Sequence, residues 1–152
     1  MLYAECTGSV RDFLFGMAGD VFRQSFLTTA AALPVPDAAG KQAAWQRRRT
    51  IQRARAGFFQ RFPLVLTPTA CQPPFPIVHD LHSGNTMAAI IRAYRPLPVV
   101  AGLGLPATSV PAGKAGRHSV GVQLISRWFE DERCLAATAR FRTRTGTTVD
   151  KL

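Results

Sequence analysis

The chain has 152 residues, of which 47% are apolar and 18% are charged. This length suits one domain, and this balance can bury a core, which excludes a largely disordered chain. The net charge of +10 would suit a partner with an anionic surface, either nucleic acid or a membrane.

Two amphipathic helices are predicted before the first strand. Apolar residues recur at helical spacing over residues 11–33, and a proline- and glycine-rich break follows over 34–40. A second helix is predicted over Lys41–Phe62. Its arginine cluster, Arg47–Arg49 with Arg53 and Arg55, is interpreted as a solvated helix face.

A short strand and a long loop follow. Leu64–Thr67 is an apolar run between Pro63 and Pro68, which is typical of a strand buried on both faces. Residues 68–85 are rich in proline and have no periodicity, so they predict an irregular loop of the kind that is often functional or mobile. A short helix over 86–95 and a turn-rich passage come next.

Two further strands are predicted in the last third of the chain. Ala107–Val110 lies between Pro106 and Pro111, and because proline is tolerated mainly at strand ends and edges, these prolines mark its limits. Residues 119–126 are apolar on both faces and predict a central strand. Gly121 leaves room for a close approach to that strand.

A closing helix is predicted over residues 130–142, with acids in its first turn and arginines in its last, as the helix dipole favours. The tail over 143–152 is polar, and we expect it to be disordered. The elements together predict an α/β fold in which helices flank a mixed sheet of three or more strands.

The cysteines and the hydropathy indicate the compartment. Cys6, Cys71 and Cys134 are an odd number at unrelated spacings and predict neither a disulfide framework nor a zinc site. We expect no signal peptide and no membrane span, because no sustained apolar run of about 18 residues occurs. A reducing cytoplasm is the simplest location.

Two possible sites can be assembled from the sequence, and neither is favoured. His79, Asp80 and His82, with Cys71 upstream, match no established zinc spacing, so we predict no metal and no cofactor.

A serine triad could be composed from Ser109 or Ser119 with His118 and Asp131. No nucleophile-elbow sequence surrounds either serine. Ser109 is therefore interpreted as a hydroxyl packed or hydrogen-bonded in the sheet.

The order of four segments resembles the C-terminal region of the amidase signature family, which are serine-dependent amide hydrolases. The resemblance covers residues 45–139 and rests on an arginine-rich helix followed by FPLVLTPTACQPPF, GLPATSVPAG and VGVQLISRWFEDERCLAATA. It implies that residues 1–152 form a single partial domain, the C-terminal part of the amidase signature fold. Departures from the family pattern at Pro63, at 117–119 and at Ser126 fall on structural positions.

The resemblance also implies a catalytic set that this sequence lacks. The family uses a nucleophilic serine in a glycine- and serine-rich segment, a second serine on a cis peptide, and a lysine base. Here no two serines are adjacent, and the lysines are Lys41, Lys114 and Lys151, in a charged helix, a tight loop and the tail. A serine hydroxyl needs an adjacent base to attack, so we predict no catalytic residue and no activity for this chain alone.

By region, the resemblance implies that the loop after the first strand faces a small-molecule amide in the parent enzyme. Phe75, His79 and Asp80 are therefore the candidate substrate-binding residues. Two alternatives stay open. One is a basic nucleic-acid-binding protein, which is less favoured. The other is a subunit completed by a partner, either the missing N-terminal half or a second copy, because a fragment of a sheet exposes an edge.

Overall fold

The structure, a computed structural model, describes residues 8–33 and 35–145, with side chains up to Phe141. The described residues divide into two compact units. The first unit contains the residues up to Ala44 together with Phe75–Ala93, and the second contains Trp45–Pro74 together with the residues from Tyr94 onward. That residues 1–152 form a single partial domain stays a prediction.

The first unit begins with two helices where one was predicted. Helix α1 spans Ser9–Met17 and helix α2 spans Asp20–Ala32. Between them Ala18 and Gly19 adopt extended backbone conformations, so the helical hydrogen-bond ladder stops and restarts. The prediction of one continuous helix over residues 11–33 is therefore wrong at Ala18 and Gly19.

Helix α2 packs against the end of the proline-rich segment. A short 3₁₀ helix spans His79–Leu81, and the buried Thr28 hydroxyl donates a 2.7 Å hydrogen bond to the backbone carbonyl of Asp80. The side-chain amide of Gln24 donates to the carbonyl of Leu81 at 3.3 Å. These bonds fix the backbone of the loop to α2, so the irregular segment is ordered at this end.

Helix α3 spans Ala38–Arg61 and helix α4 spans Gly84–Ala93. Asp37 caps the start of α3, because its Oδ1 accepts a 2.7 Å hydrogen bond from the backbone N–H of Gly40. Ser83 and Thr86 cap α4 reciprocally, each side-chain oxygen accepting from the other residue's backbone N–H at 3.2 Å and 3.0 Å. Both predicted helices are confirmed with small shifts of their ends.

Helix α5 spans Pro96–Leu103 in the second unit, where a turn-rich passage was predicted. That prediction is wrong because Pro96 and Pro98 lie in the first turn of the helix. Backbone N–H groups have no intrahelical partner there, so proline costs nothing. Gly104 ends the helix in the left-handed region, at φ 67°.

Side chains from elsewhere in the second unit cap the carboxyl end of α5. Arg48 Nε donates to the carbonyl of Gly102 at 2.6 Å, and the indole N–H of Trp128 donates to the carbonyl of Leu103 at 3.1 Å. The Arg55 guanidinium lies 4.7 Å from the centre of the Trp128 ring. Burial, and secondarily the positive charge of Arg48, lower the pKa of Arg55 below its usual value.

Two arginines of the cluster therefore act structurally, because cations at a helix carboxyl end complement its dipole. For Arg48 and Arg55 the interpretation as a solvated face is wrong. Arg47, Arg49 and Arg53 are exposed, as that interpretation expects.

The sheet of the second unit has three strands: β1 is Leu64–Pro68, β2 is Ala107–Ala115 and β3 is His118–Ser126. Their order is β1-β3-β2, and both pairings are antiparallel. The central position predicted for β3 is confirmed. Strand β2 continues through Pro111, the predicted limit, because the nitrogen of Pro111 faces away from β3 and no hydrogen bond between the strands is lost there. A bulge between Pro111 and Gly113 follows.

The sheet is covered on both faces near one end. On one face Phe59 of α3, Val100 of α5 and Ile125 of β3 form the core, with Val65 and Leu105 packed against them. On the other face helix α6, Asp131–Thr145, packs on β2 and β3. The α/β fold class is confirmed.

Cys134 is the contact point of α6. It is 1% exposed, and its thiol lies 3.4 Å from the carbonyl of Leu124 and 3.2 Å from the hydroxyl of Ser126.

The tail predicted to be disordered over residues 143–152 is helical at its start, because α6 extends to Thr145. Residues 146–152 lie outside the described residues. Over the two described stretches, no helix has both the length and the apolar character that crossing a membrane requires.

The cap on α5 predicts unequal effects for two arginines on one helix. Arg55→Ala should lower the free energy of unfolding by about 1–2 kcal/mol, because it removes a cation at a helix end and its contact with Trp128. Arg53→Ala is the matched control and should change it by less than about 0.5 kcal/mol. Urea titrations followed by circular dichroism measure both, and equal effects would contradict the capping role.

Candidate functional site

A cleft of about 540 Å³ opens in the second unit, beside the end of the sheet that the core leaves uncovered. Its walls are the chain after β1, residues 69–74, with Tyr94, the middle of β2 and the first half of β3. Most of the lining is apolar, and none of the described residues that line it is Asp, Glu, Lys or Arg. The cleft therefore suits an uncharged group.

Gly121 sets the shape of the cleft floor. Thr69 lies next to it, just past the end of β1, and the backbone N–H of Thr69 donates to the carbonyl of Gly121 at 3.1 Å. A Cβ on Gly121 would lie 3.1 Å from the Thr69 hydroxyl oxygen and 3.5 Å from the carbonyl of Val110. The close approach expected at Gly121 is thus made by the chain's own loop.

Polar side chains cross the three strands in one row. The register pairs Thr67 of β1 with Gln123 of β3, and Gln123 with Ser109 of β2, so the three side chains share a face. Gln123 is 1% exposed, and its side-chain nitrogen has no hydrogen-bond partner among the described residues; neither do the hydroxyls of Thr67 and Thr69.

An unpartnered buried polar atom costs roughly 1–3 kcal/mol, so this row is a place where further hydrogen-bonding groups would be stabilising. Gln123 was not predicted as a site residue. Its signal in the sequence is a polar residue in the middle of the otherwise apolar run VGVQLIS.

The serines and the histidine of the hypothetical triad reach the same cleft. Ser109, Ser119 and His118 all line it, whereas Asp131 lies at the start of α6, outside the cleft. Ser109 is exposed, and no hydrogen bond joins either of these described serines to His118. A hydroxyl without a base in hydrogen-bond reach is a poor nucleophile, so the arrangement is not a catalytic triad.

The predicted substrate-binding residues lie in the first unit. Phe75 stacks on the imidazole of His79, with ring centres 5.3 Å apart and planes inclined by 10°. The His79 ring lies 5.5 Å from that of His82, and Asp80 is half-buried. The structure thus brings Phe75 and His79 together, while contact with a substrate stays a prediction.

The metal hypothesis gains no support from this arrangement. Cys71 is exposed and lines the cleft of the second unit. Within the part of the chain that the structure describes, no group of His, Cys, Asp or Glu side chains could hold a metal ion.

Comparison with known proteins gives a family match and several relatives. The family model named Amidase matches residues 16–135. The A subunit of the glutamyl-tRNA(Gln) amidotransferase of Thermus thermophilus is 35% identical over 101 residues, which are 64% of this chain and 20% of the relative. The corresponding amidotransferase chain of Pediococcus pentosaceus is 33% identical over 131 residues, which are 86% of this chain and 26% of the relative.

An enzyme with a different name also matches. The indoleacetamide hydrolase of Bradyrhizobium diazoefficiens is 30% identical over 101 residues, which are 66% of this chain and 19% of the relative. The chain therefore spans between about a fifth and a quarter of the length of these relatives.

The contact between Gly121 and Thr69 predicts a stability difference between two glycine substitutions. Gly121→Val should lower the free energy of unfolding by about 1–3 kcal/mol, because its side chain overlaps the loop that forms the cleft wall. Gly57→Ala is the control, since Gly57 lies in α3 with open space around it and alanine there should raise stability by about 0.5–1 kcal/mol. Thermal unfolding measures both, and a Gly121→Val protein as stable as the wild type would contradict the packing.

Proposed function

This chain belongs to the amidase family, and from that premise we propose that it supplies the C-terminal part of the framework of an amide hydrolase. The attacking hydroxyl and its base come from residues outside these 152. The chain by itself is inactive, and it shapes one side of a site that becomes complete only with the rest of the enzyme.

The observation that carries this proposal is a cleft with hydroxyls and no base. Ser109 and Ser119 line the cleft, and among the described residues that line it there is no lysine. Lys41 and Lys114 lie in the charged helix α3 and near the turn between β2 and β3. Because hydrolysis of an amide needs an activated nucleophile and donors aimed at the developing oxyanion, these side chains alone do not perform it.

The substrate we propose is a small uncharged amide. The cleft is largely apolar and presents no charged side chain among its described lining residues, so a neutral amide is the group it would accept at least cost. The name of the indoleacetamide hydrolase refers to such an amide. Phe75, His79 and Asp80 of the first unit are proposed separately as substrate-binding residues, because the stacked rings of Phe75 and His79 offer a flat apolar surface.

We propose the cytoplasm as the location. Cys71 and Cys134 are free thiols, and Cys71 is exposed. An exposed thiol persists most readily in a reducing compartment.

The direct test is an activity assay on the purified 152-residue chain. With indole-3-acetamide or an aryl amide such as 4-nitroacetanilide, we expect no ammonia or aniline release above the buffer rate, because no base activates a serine. Ser109→Ala should leave that background unchanged. Turnover by the wild-type chain that Ser109→Ala abolishes would overturn the proposal.

A further inference from the structure

Strand β1 has the sequence of a central strand but lies at an edge of the sheet. Leu64, Val65 and Leu66 are consecutive apolar residues, a pattern typical of strands covered on both faces, and Pro68 occupies only the last position of the strand. Among the described residues β1 pairs only with β3, and the side chain of Leu66 is 55% exposed. The sequence of β1 is thus that of a strand with a second neighbouring strand, which the described residues do not contain.

The hydrogen bonds show which backbone groups of β1 face outward. The N–H of Thr69 donates to the carbonyl of Gly121, so these two residues form a hydrogen-bonded antiparallel pair. Bonded pairs alternate with non-bonded ones, which means that Val65 and Thr67 bond to β3. The N–H and C=O groups of Leu64 and Leu66 therefore point away from β3, along the free edge.

The other edge of the sheet is built differently. The N–H of Ser126 donates to the carbonyl of Pro106, so by the same alternation the backbone groups of Ala107 and Ser109 point outward from β2. Beyond them Pro111 has no N–H, the strand bulges, and Lys114 follows. Bulges, prolines and lysines are the devices that protect a natural edge strand from pairing, so β2 is suited to be an edge.

The helical layer also stops short of β1. Leu66 pairs with Leu124 across the strands, so both side chains lie on the same face. Leu124 is buried where Cys134 of α6 approaches it, whereas Leu66 remains exposed. The apolar side chain of Leu66 is therefore left uncovered on the face of the sheet that α6 packs against.

We propose that the outer edge of β1 together with Leu66 is the docking surface for an extended strand, with its covering element, from the remaining part of an amidase fold. The proposal rests on the function proposed above. The relatives' length indicates what binds at this edge. The match accounts for only 20% and 26% of the two amidotransferase relatives, so most of such a fold consists of residues that are not in this chain. Addition of a strand to a free edge supplies backbone hydrogen bonds for affinity.

The probe for the test is the Thermus thermophilus amidotransferase relative from which the stretch aligned with this chain has been deleted, produced together with the full 152-residue chain. Leu66→Pro removes an outward N–H without disturbing the bonds to β3, since proline is tolerated on an edge strand when its nitrogen faces outward. Ser109→Pro makes the same change on the β2 edge and is the matched control. Leu66→Lys, at an exposed side chain, tests the same surface without altering the backbone.

We expect the wild-type chain and the probe to co-purify as a one-to-one complex. Leu66→Pro and Leu66→Lys should each weaken binding roughly tenfold or more, through a lost hydrogen bond in one case and a buried charge in the other. Ser109→Pro should bind like the wild type. Circular dichroism of each variant alone confirms that it is folded.

Three results would overturn the proposal: no complex with the wild-type chain, equal weakening by the Leu66 and Ser109 substitutions, or a homodimer of this chain that occupies the β1 edge in place of the probe. None of these results is amide hydrolysis by the isolated chain, which is the outcome that would defeat the proposed function. The two failures are therefore distinguishable.

Discussion

The structure of the second unit depends on how the hydrogen bonds alternate along β3. Its odd-numbered residues from Gly121 to Ile125 bond to β1, and its even-numbered residues from Val122 to Ser126 bond to β2. Both edges of β3 are thereby hydrogen-bonded, and Gln123 and Ile125, which are both buried, lie on this central strand. The same alternation leaves both outer strands with outward-facing backbone groups, and of the two only β2 carries a bulge and a lysine that protect an edge.

Charge and packing meet at the carboxyl end of α5. The sequence is strongly basic, and part of that charge neutralises a helix end, because Arg48 and Arg55 reach the last carbonyls of α5 and Trp128 closes over Arg55. This anchors α3 and α5 next to the apolar core around Phe59 and Val100. The charge is therefore partly a consequence of the fold and not by itself a sign of a nucleic-acid partner.

Periodicity and proline spacing predicted the main elements of the sheet and the central place of β3, because these follow from local side-chain patterns. The exceptions have identifiable causes. Proline in the first turn of α5 has the same local signature as a turn, although a helix start tolerates it, and a glycine next to an extended residue separates α1 from α2. For the candidate site, Gly121 was predicted as a place of close approach, and Thr69 makes that approach. The buried row through Gln123 was not, because the register that brings Thr67, Gln123 and Ser109 together depends on pairing between strands far apart in the chain.

If β1 is an incomplete edge of a larger amidase sheet, its outward N–H groups are open to solvent in the isolated chain, and amide hydrogen exchange measures this. The N–H groups of Leu64 and Leu66 should then exchange at nearly the rate of an unprotected peptide, while those of Val65 and Thr67 are protected by their bonds to β3. Equal protection at all four positions would mean that the edge is already covered, so β1 would have no open edge for a further strand.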